Sequence, residues 1–132
     1  MGHSVLIAED EQNIVEALSF LMERAGFEVM VSRDGPRTIE TARERKPDLL
    51  LLDIMLPGCD GFEVLEALRG GDGFGMRILM LTAKGREIDR RKAFEYGVDD
   101  FVTKPFSNQD VVRRVNTLIR EPRPEQPFAT AG

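Results

Sequence analysis

The sequence predicts an α/β domain, a single doubly wound sheet of five parallel strands with a helix following each strand. Two features carry that expectation. Short apolar runs alternate five times with stretches whose apolar residues recur at helical spacing. In addition, Leu49-Leu50-Leu51-Leu52 is unbroken and lies between Pro47 and Pro57, the pattern of a strand buried on both faces. Parallel sheets need such strands, because their crossover helices cover both sides. Those crossovers are right-handed by rule, but periodicity leaves the strand order open.

Val5-Leu6-Ile7-Ala8 reads as the first strand, stopped by the acidic run Glu9-Asp10-Glu11. Ile14, Leu18, Leu21, Met22 and Ala25 trace one helical face that Gly26 ends. Phe27 to Val31 alternates as a second strand. Gly35-Pro36 opens the second helix, with proline in the first turn where its missing N–H costs least, and Pro47 closes it. Leu49 to Leu52 is the third strand and Phe62 to Leu68 the third helix, which runs into a glycine-rich turn over 70–75. Ile78 to Leu81 is the fourth strand, ending at Thr82-Ala83, and Arg86 to Tyr96 is the fourth helix, closed by Gly97. Phe101-Val102-Thr103 is the fifth strand. Ser107 with Asp110 reads as a capping box opening a fifth helix that carries Val111, Val112, Val115, Leu118 and Ile119.

A chain of 132 residues is one domain with a core of its own. The domain is expected over 1–120, with the proline-rich 121–132 a tail or the start of a linker. A net charge of -5 argues against this domain gripping nucleic acid directly. The single cysteine, Cys59, excludes an internal disulfide and suits a reducing cytoplasm. No segment reaches the ~20 continuous apolar residues of a membrane helix, and Met1-Gly2-His3 has no signal-peptide character.

Asp53 follows the leucine run directly, and a carboxylate there is costly unless the fold uses it. Ligands of open α/β sheets sit outside the carboxyl ends of the strands. Those ends supply Glu9 and Asp10 from the first strand, Asp53 from the third and Thr82 from the fourth; Lys104 follows the fifth. Carboxylates crowded together repel one another and need a cation. Mg²⁺ suits them, since it prefers hard oxygen ligands and requires only one or two carboxylates besides its waters. A lysine and a hydroxyl beside such a carboxylate make a site for a phosphoryl group, with the aspartate as in-line nucleophile. The glycines at 70, 71, 73 and 75 fit neither phosphate-cradling glycine motif and are read as a turn. Glu11 is read as an ordinary solvated acid at a helix start.

Four motifs carry a family resemblance: Leu6-Ile7-Ala8-Glu9-Asp10-Glu11, Leu52-Asp53-Ile54-Met55-Leu56-Pro57-Gly58-Cys59-Asp60-Gly61, Leu81-Thr82-Ala83, and Gly97 through Phe106 with Lys104-Pro105 inside it. With these, the chain from Ser4 to Arg120 resembles the receiver domain of two-component response regulators. The resemblance implies the flavodoxin-like strand order 2-1-3-4-5 and phosphotransfer from a sensor histidine kinase to Asp53. It makes Asp10 a direct Mg²⁺ ligand, Glu9 a ligand through water, and the backbone carbonyl of Met55 a third ligand beside Asp53. Thr82 and Lys104 would bind phosphoryl oxygens, and the Lys104-Pro105 bond is typically cis. Thr82 and Phe101 take the switch positions, and the output surface is helix 4, strand 5 and helix 5. Arg90, Asp99, Asp110 and Arg114 fall where relatives with winged-helix output domains form dimer salt bridges, which implies a homodimer on activation. The resemblance implies a cytoplasmic signalling switch, not an enzyme with an external substrate, that catalyses only its own phosphorylation and dephosphorylation.

This sequence departs from the commoner pattern at Phe101, where the family more often has tyrosine, and at Met55 and Lys84, which hold positions that tune dephosphorylation. A Mg²⁺-dependent phosphohydrolase is disfavoured. Such enzymes commonly place a second acid two residues after the nucleophile, where this chain has Met55. A receiver that has lost phosphorylation is disfavoured by the intact set Glu9, Asp10, Asp53, Thr82 and Lys104.

Overall fold

A computed structural model of the chain describes residues 2–70, 75–83 and 85–121. It contains β1 (Ser4–Ala8), α1 (Gln12–Arg24), β2 (Glu28–Ser32), α2 (Gly35–Arg45), β3 (Leu49–Leu52), α3 (Gly61–Arg69), β4 (Arg77–Thr82), α4 (Glu87–Glu95), β5 (Asp100–Thr103) and α5 (Asn108–Arg120). The sheet is five-stranded and parallel throughout, in the order β2-β1-β3-β4-β5. Fold class and strand order are therefore those expected.

The leucine run divides the core. Leu50 and Leu52 face one layer with Leu6, Ile78, Met80 and Phe101, covered by Val64, Leu65 and Leu68 of α3 and Ala93 of α4. Leu49 and Leu51 face the other with Val5, Ile7, Leu79 and Val102, covered by Leu18 and Met22 of α1 and Val111, Val115 and Leu118 of α5. All four leucines are at most 1 % exposed. At about 2 kcal/mol for each fully buried side chain, this strand organises both halves of the core.

Helix ends follow the sequence signals with one exception. Gly26 and Gly97 hold φ of 95° and 104° just past α1 and α4, a left-handed conformation that costs glycine nothing. The Ser107 hydroxyl accepts from the Asp110 N–H at 3.2 Å, but the Asp110 carboxylate turns to Arg113 and Arg114 instead of closing the expected box. Aspartate is one methylene shorter than the glutamate a box uses. The complete capping box lies at α3, where Asp60 accepts from the Glu63 N–H at 3.0 Å and Glu63 accepts from the Asp60 N–H at 2.8 Å.

Candidate functional site

Register brings the polar residues to one pole. Ala8 pairs with Leu52, so Glu9 and Asp53 stand side by side one residue further on. The Asp53 N–H donates to the Ala8 carbonyl at 3.1 Å, which carries the ladder up to the acid. Thr82 pairs with Thr103, and the Lys104 N–H donates to the Thr82 carbonyl at 2.8 Å, placing Lys104 across from both carboxylates. The start of α3 braces the Asp53 loop from below. The Gly61 N–H donates to the Ile54 carbonyl at 2.7 Å, and a Cβ on Gly61 would lie 2.8 Å from the Asp53 carbonyl oxygen. The Lys104-Pro105 bond is cis.

The Lys104 ammonium sits at the centre of the charges. Its Nζ donates to Glu9 Oε1 at 2.8 Å, to Asp53 Oδ2 at 3.1 Å and to Glu11 Oε1 at 3.4 Å. The side chains of Glu9, Asp53 and Lys104 are 2 %, 7 % and 11 % exposed. Asp53 Oδ1 accepts the Met55 N–H at 3.1 Å, and Glu9 Oε2 accepts the Glu11 N–H at 3.1 Å. Burial pushes the Glu9 carboxyl above its ordinary value, although the Lys104 hydrogen bond pulls the other way. Burial alone would lower the Lys104 ammonium, but hydrogen bonds and charge from Glu9 and Asp53 more than offset it, and the net shift is upward.

Of the other expected residues, Asp10 is exposed at the rim, Met55 is 56 % exposed beside Asp53, and Thr82 is fully buried. Phe101 is turned into the core, with the Arg90 guanidinium 5.9 Å from its ring centre and 5.2 Å from that of Phe94. Arg114 donates from Nη1 to both Asp100 oxygens at 2.8 Å and from Nε to Asp110 at 2.9 Å. Asp99 lies inside the protomer against Arg69 and Arg77, at 3.0 and 3.2 Å. Lys84, residues 71–74 of the glycine-rich turn, and the tail beyond Glu121 lie outside the described residues. Two contributors were not foreseen. Glu11 is solvated as expected, its side chain 65 % exposed, but it also comes within 3.4 Å of the Lys104 ammonium. Asp100, not singled out beforehand, is the main partner of Arg114.

Among the described residues no group of three or more His, Cys, Asp or Glu side chains stands close enough together to cage a metal. The donor set nevertheless fits Mg²⁺. It offers hard carboxylate oxygens at an open rim, and that ion keeps most of its waters and takes one or two carboxylates.

A parallel 2-1-3-4-5 sheet with an acid pair, an aspartate, a hydroxyl and a lysine at its carboxyl pole defines a signalling domain of the response-regulator class. The chain belongs to the response regulator receiver domain family, which it matches over residues 5–116. It is 42 % identical over 120 residues to the alkaline phosphatase synthesis transcriptional regulatory protein PhoP of Bacillus subtilis, covering 91 % of this chain and 50 % of that protein. The chain thus spans about half the length of that relative. It is similar to the BeF3-activated N-terminal receiver domain of Klebsiella pneumoniae RstA, with 28 % identity, a TM-score of 0.84, and 89 % and 99 % of the two chains covered. It is also similar to the receiver domain of a Pseudomonas aeruginosa sensor histidine kinase described with magnesium coordinated in its active-site cleft (25 % identity, TM-score 0.85, 92 % and 100 % covered). No helix among the described residues is long and apolar enough to cross a membrane.

Proposed function

We propose that this receiver domain accepts a phosphoryl group from a sensor histidine kinase onto Asp53, in a Mg²⁺-dependent reaction, and so acts as a signalling switch. One observation carries the reading: a single buried ammonium bridges two buried carboxylates, Glu9 and Asp53, at 2.8 and 3.1 Å. A phosphoryl group on Asp53 brings oxygens to which Lys104 can transfer its hydrogen bonds, and the Thr82 hydroxyl is the second donor. Asp10, the Asp53 carboxylate and the Met55 carbonyl would hold the Mg²⁺, with Glu9 acting through water. When bound, the ion supplies positive charge against the phosphoryl oxygens. An Asp53 carboxylate oxygen attacks phosphorus in line, the bond to the donor breaks, and the donor keeps the electron pair. The chemistry ends with the domain's own phosphorylation and dephosphorylation.

The added charge acts at one pole. Thr82 and Phe101 relay it to α4, β5 and α5, where a hollow of about 400 Å³ is lined by Arg90, Phe101, Phe106, Asp110 and Arg114 among others. That face is the output surface and the activation-dimer surface. Asp110, Arg114 and Arg90 are the members of the charged set that face outward, whereas Asp99 serves inside. The domain occupies 1–120 with 121–132 a tail or the start of a linker, the protein works in the cytoplasm, and this domain does not grip nucleic acid itself. Intact-mass spectrometry after acetyl phosphate treatment, with and without Mg²⁺, on wild type and Asp53→Asn, tests the reading. A single metal-dependent phosphoryl adduct lost in the variant is expected; no adduct under any condition would leave a constitutive interaction module.

A further inference from the structure

We propose that Arg77, anchored by Asp99 and backed by Arg69, is a clamp that caps the carboxyl end of α5 and fixes the point at which the chain leaves the domain. The cluster lies at the amino ends of β4 and β5, the pole opposite Asp53. Arg77 donates through Nε to the Leu118 carbonyl at 2.9 Å, through Nη2 to the Glu121 carbonyl at 2.9 Å, and through Nη1 to Asp99 Oδ1 at 3.2 Å. Arg69 donates to the carbonyls of Gly97 and Met76 at 3.0 and 2.7 Å and to Asp99 Oδ2 at 3.0 Å. The Ile78 N–H adds a bond to the same Asp99 oxygen at 2.8 Å. The side chains of Arg69, Arg77 and Asp99 are 10 to 12 % exposed, so a shared carboxylate and four backbone carbonyls take up two guanidinium groups away from water.

The end of α5 shows why the clamp is needed. The last four carbonyls of a helix have no partner inside it, and a left-handed residue just beyond the end commonly satisfies them. α1 and α4 have Gly26 and Gly97 for this, and α2 has Lys46 at φ 48°. At α5 the chain turns to extended backbone at Glu121, with φ -91° and ψ 122°. The capping donors come instead from a strand residue 41 and 44 positions away in sequence. A cation there also opposes the negative end of the helix dipole. Arg77 serves two carbonyls and a carboxylate from three different nitrogens of one planar fork. An ammonium would have to serve them from a single nitrogen, which makes arginine the fitting residue and lysine a poor substitute. Through Arg77, the chain exit is bonded to β4, the strand whose other end carries Thr82. This inference rests on geometry alone and stands whether or not Asp53 is phosphorylated.

Amide hydrogen exchange followed by mass spectrometry on the 132-residue chain tests it, comparing wild type, Arg77→Met and Arg77→Lys. The clamp predicts at least tenfold faster exchange at the amides of 118–121 in Arg77→Met. β1 and β3 should keep their protection and Asp53 should be modified by acetyl phosphate as in wild type. Arg77→Lys should give an intermediate increase at the same amides, and it decides the matter if Arg77→Met does not fold. Unchanged exchange at 118–121, or an equal loss of protection across all strands, would overturn the proposal. Loss of Asp53 modification in wild type would count against the phosphoacceptor reading and leave the clamp untouched.

Discussion

Replacing Lys104 with methionine isolates the electrostatics of the site. The substitution keeps much of the aliphatic stem and removes the ammonium that bridges Glu9 and Asp53 at 2.8 and 3.1 Å. Both carboxylates are more than nine-tenths buried, and stripping one partner from a buried ion pair costs about 3 to 5 kcal/mol. The rim is open at Asp10 and Glu11, where water can reach, so the lower figure applies: about 3 kcal/mol at pH 7.5, or a melting temperature lower by ~10 °C in a domain of this size. The sign of the pH dependence follows from Glu9. Its folded pKa lies above its unfolded value of 4.5, so protonation favours the folded state, and this contribution is lost as pH rises through the folded value. Without Lys104 the Glu9 carboxyl moves higher still, because a group that lowered it is gone. Glu9 is then more readily neutralised at pH 5 than at 7.5, and the deficit of the variant against wild type should shrink at the lower pH. The upward-shifted Lys104 adds no pH dependence between these values, since its stabilisation is fully present below 10.5 and is lost only as pH rises through the folded value. Thermal denaturation followed by circular dichroism at pH 5 and 7.5 measures both effects. A deficit as large at pH 5 as at 7.5, or none at 7.5, would refute the assignment of Lys104 as the counter-ion of two buried acids.

Three further predictions concern neighbouring groups. If Asp10 is a direct ligand, Mg²⁺ at ten times its dissociation constant should stabilise wild type by about 1.4 kcal/mol, and Asp10→Asn should lose most of that shift in a melting experiment run against EDTA. Asp60→Ala removes one half of the α3 capping box and should lower stability by about 1 kcal/mol in urea titration, with an unchanged m-value. Burial, and then the charges of Glu63, Asp60 and Asp34, hold the Cys59 thiol above its ordinary 9.0. Alkylation by iodoacetamide should therefore be slower at pH 8 than for a free cysteine peptide and should still be accelerating at pH 9; a rate that levels off earlier would contradict that environment.

What the sequence made legible was what local pattern controls. A strand covered on both faces admits only apolar residues, so Leu49 to Leu52 announced β3, and the acid ending it stood out. The strand order came through resemblance, because pairing is set by contacts between distant residues that periodicity does not encode. Glu11 looked like any helix-start acid since its partner, Lys104, lies 93 residues away. Arg77 was hidden for a related reason, and Asp99, read from the sequence as part of a dimer face, pairs with Arg69 and Arg77 instead. A charged residue at a strand start or turn normally marks solvent, and β4 was expected to begin only at Ile78. Its first residue is in fact 9 % exposed, because Asp99 and helix-end carbonyls reach it.

Under the proposed switch, a phenylalanine at 101 changes how it and Thr82 would share the work. It is 3 % exposed and packed in the core layer of Leu52, Ile54 and Met80, with the Arg90 guanidinium over its outer side. Moving such a ring into water costs about 2 kcal/mol, which favours the inward position by roughly thirtyfold. A tyrosine there would carry a hydroxyl that keeps its hydration only outside, which brings the two positions closer to balance. Phenylalanine has no such counterweight. An equilibrium that already lies about 97 % to one side leaves a phosphoryl group only a few per cent of ring population to move. Under the proposed switch, Phe101 in this chain would hold the relay toward its inward arrangement, and more of the adjustable part of the signal would fall to Thr82. Gly85, past the end of β4, is fitted closely to β5: a Cβ there would stand 2.3 Å from the Thr103 methyl. If Thr82 moves toward Asp53 on phosphorylation, as the proposed switch requires, the Gly85–Thr103 contact would have to adjust with it, and that adjustment would share the relay with the ring of Phe101.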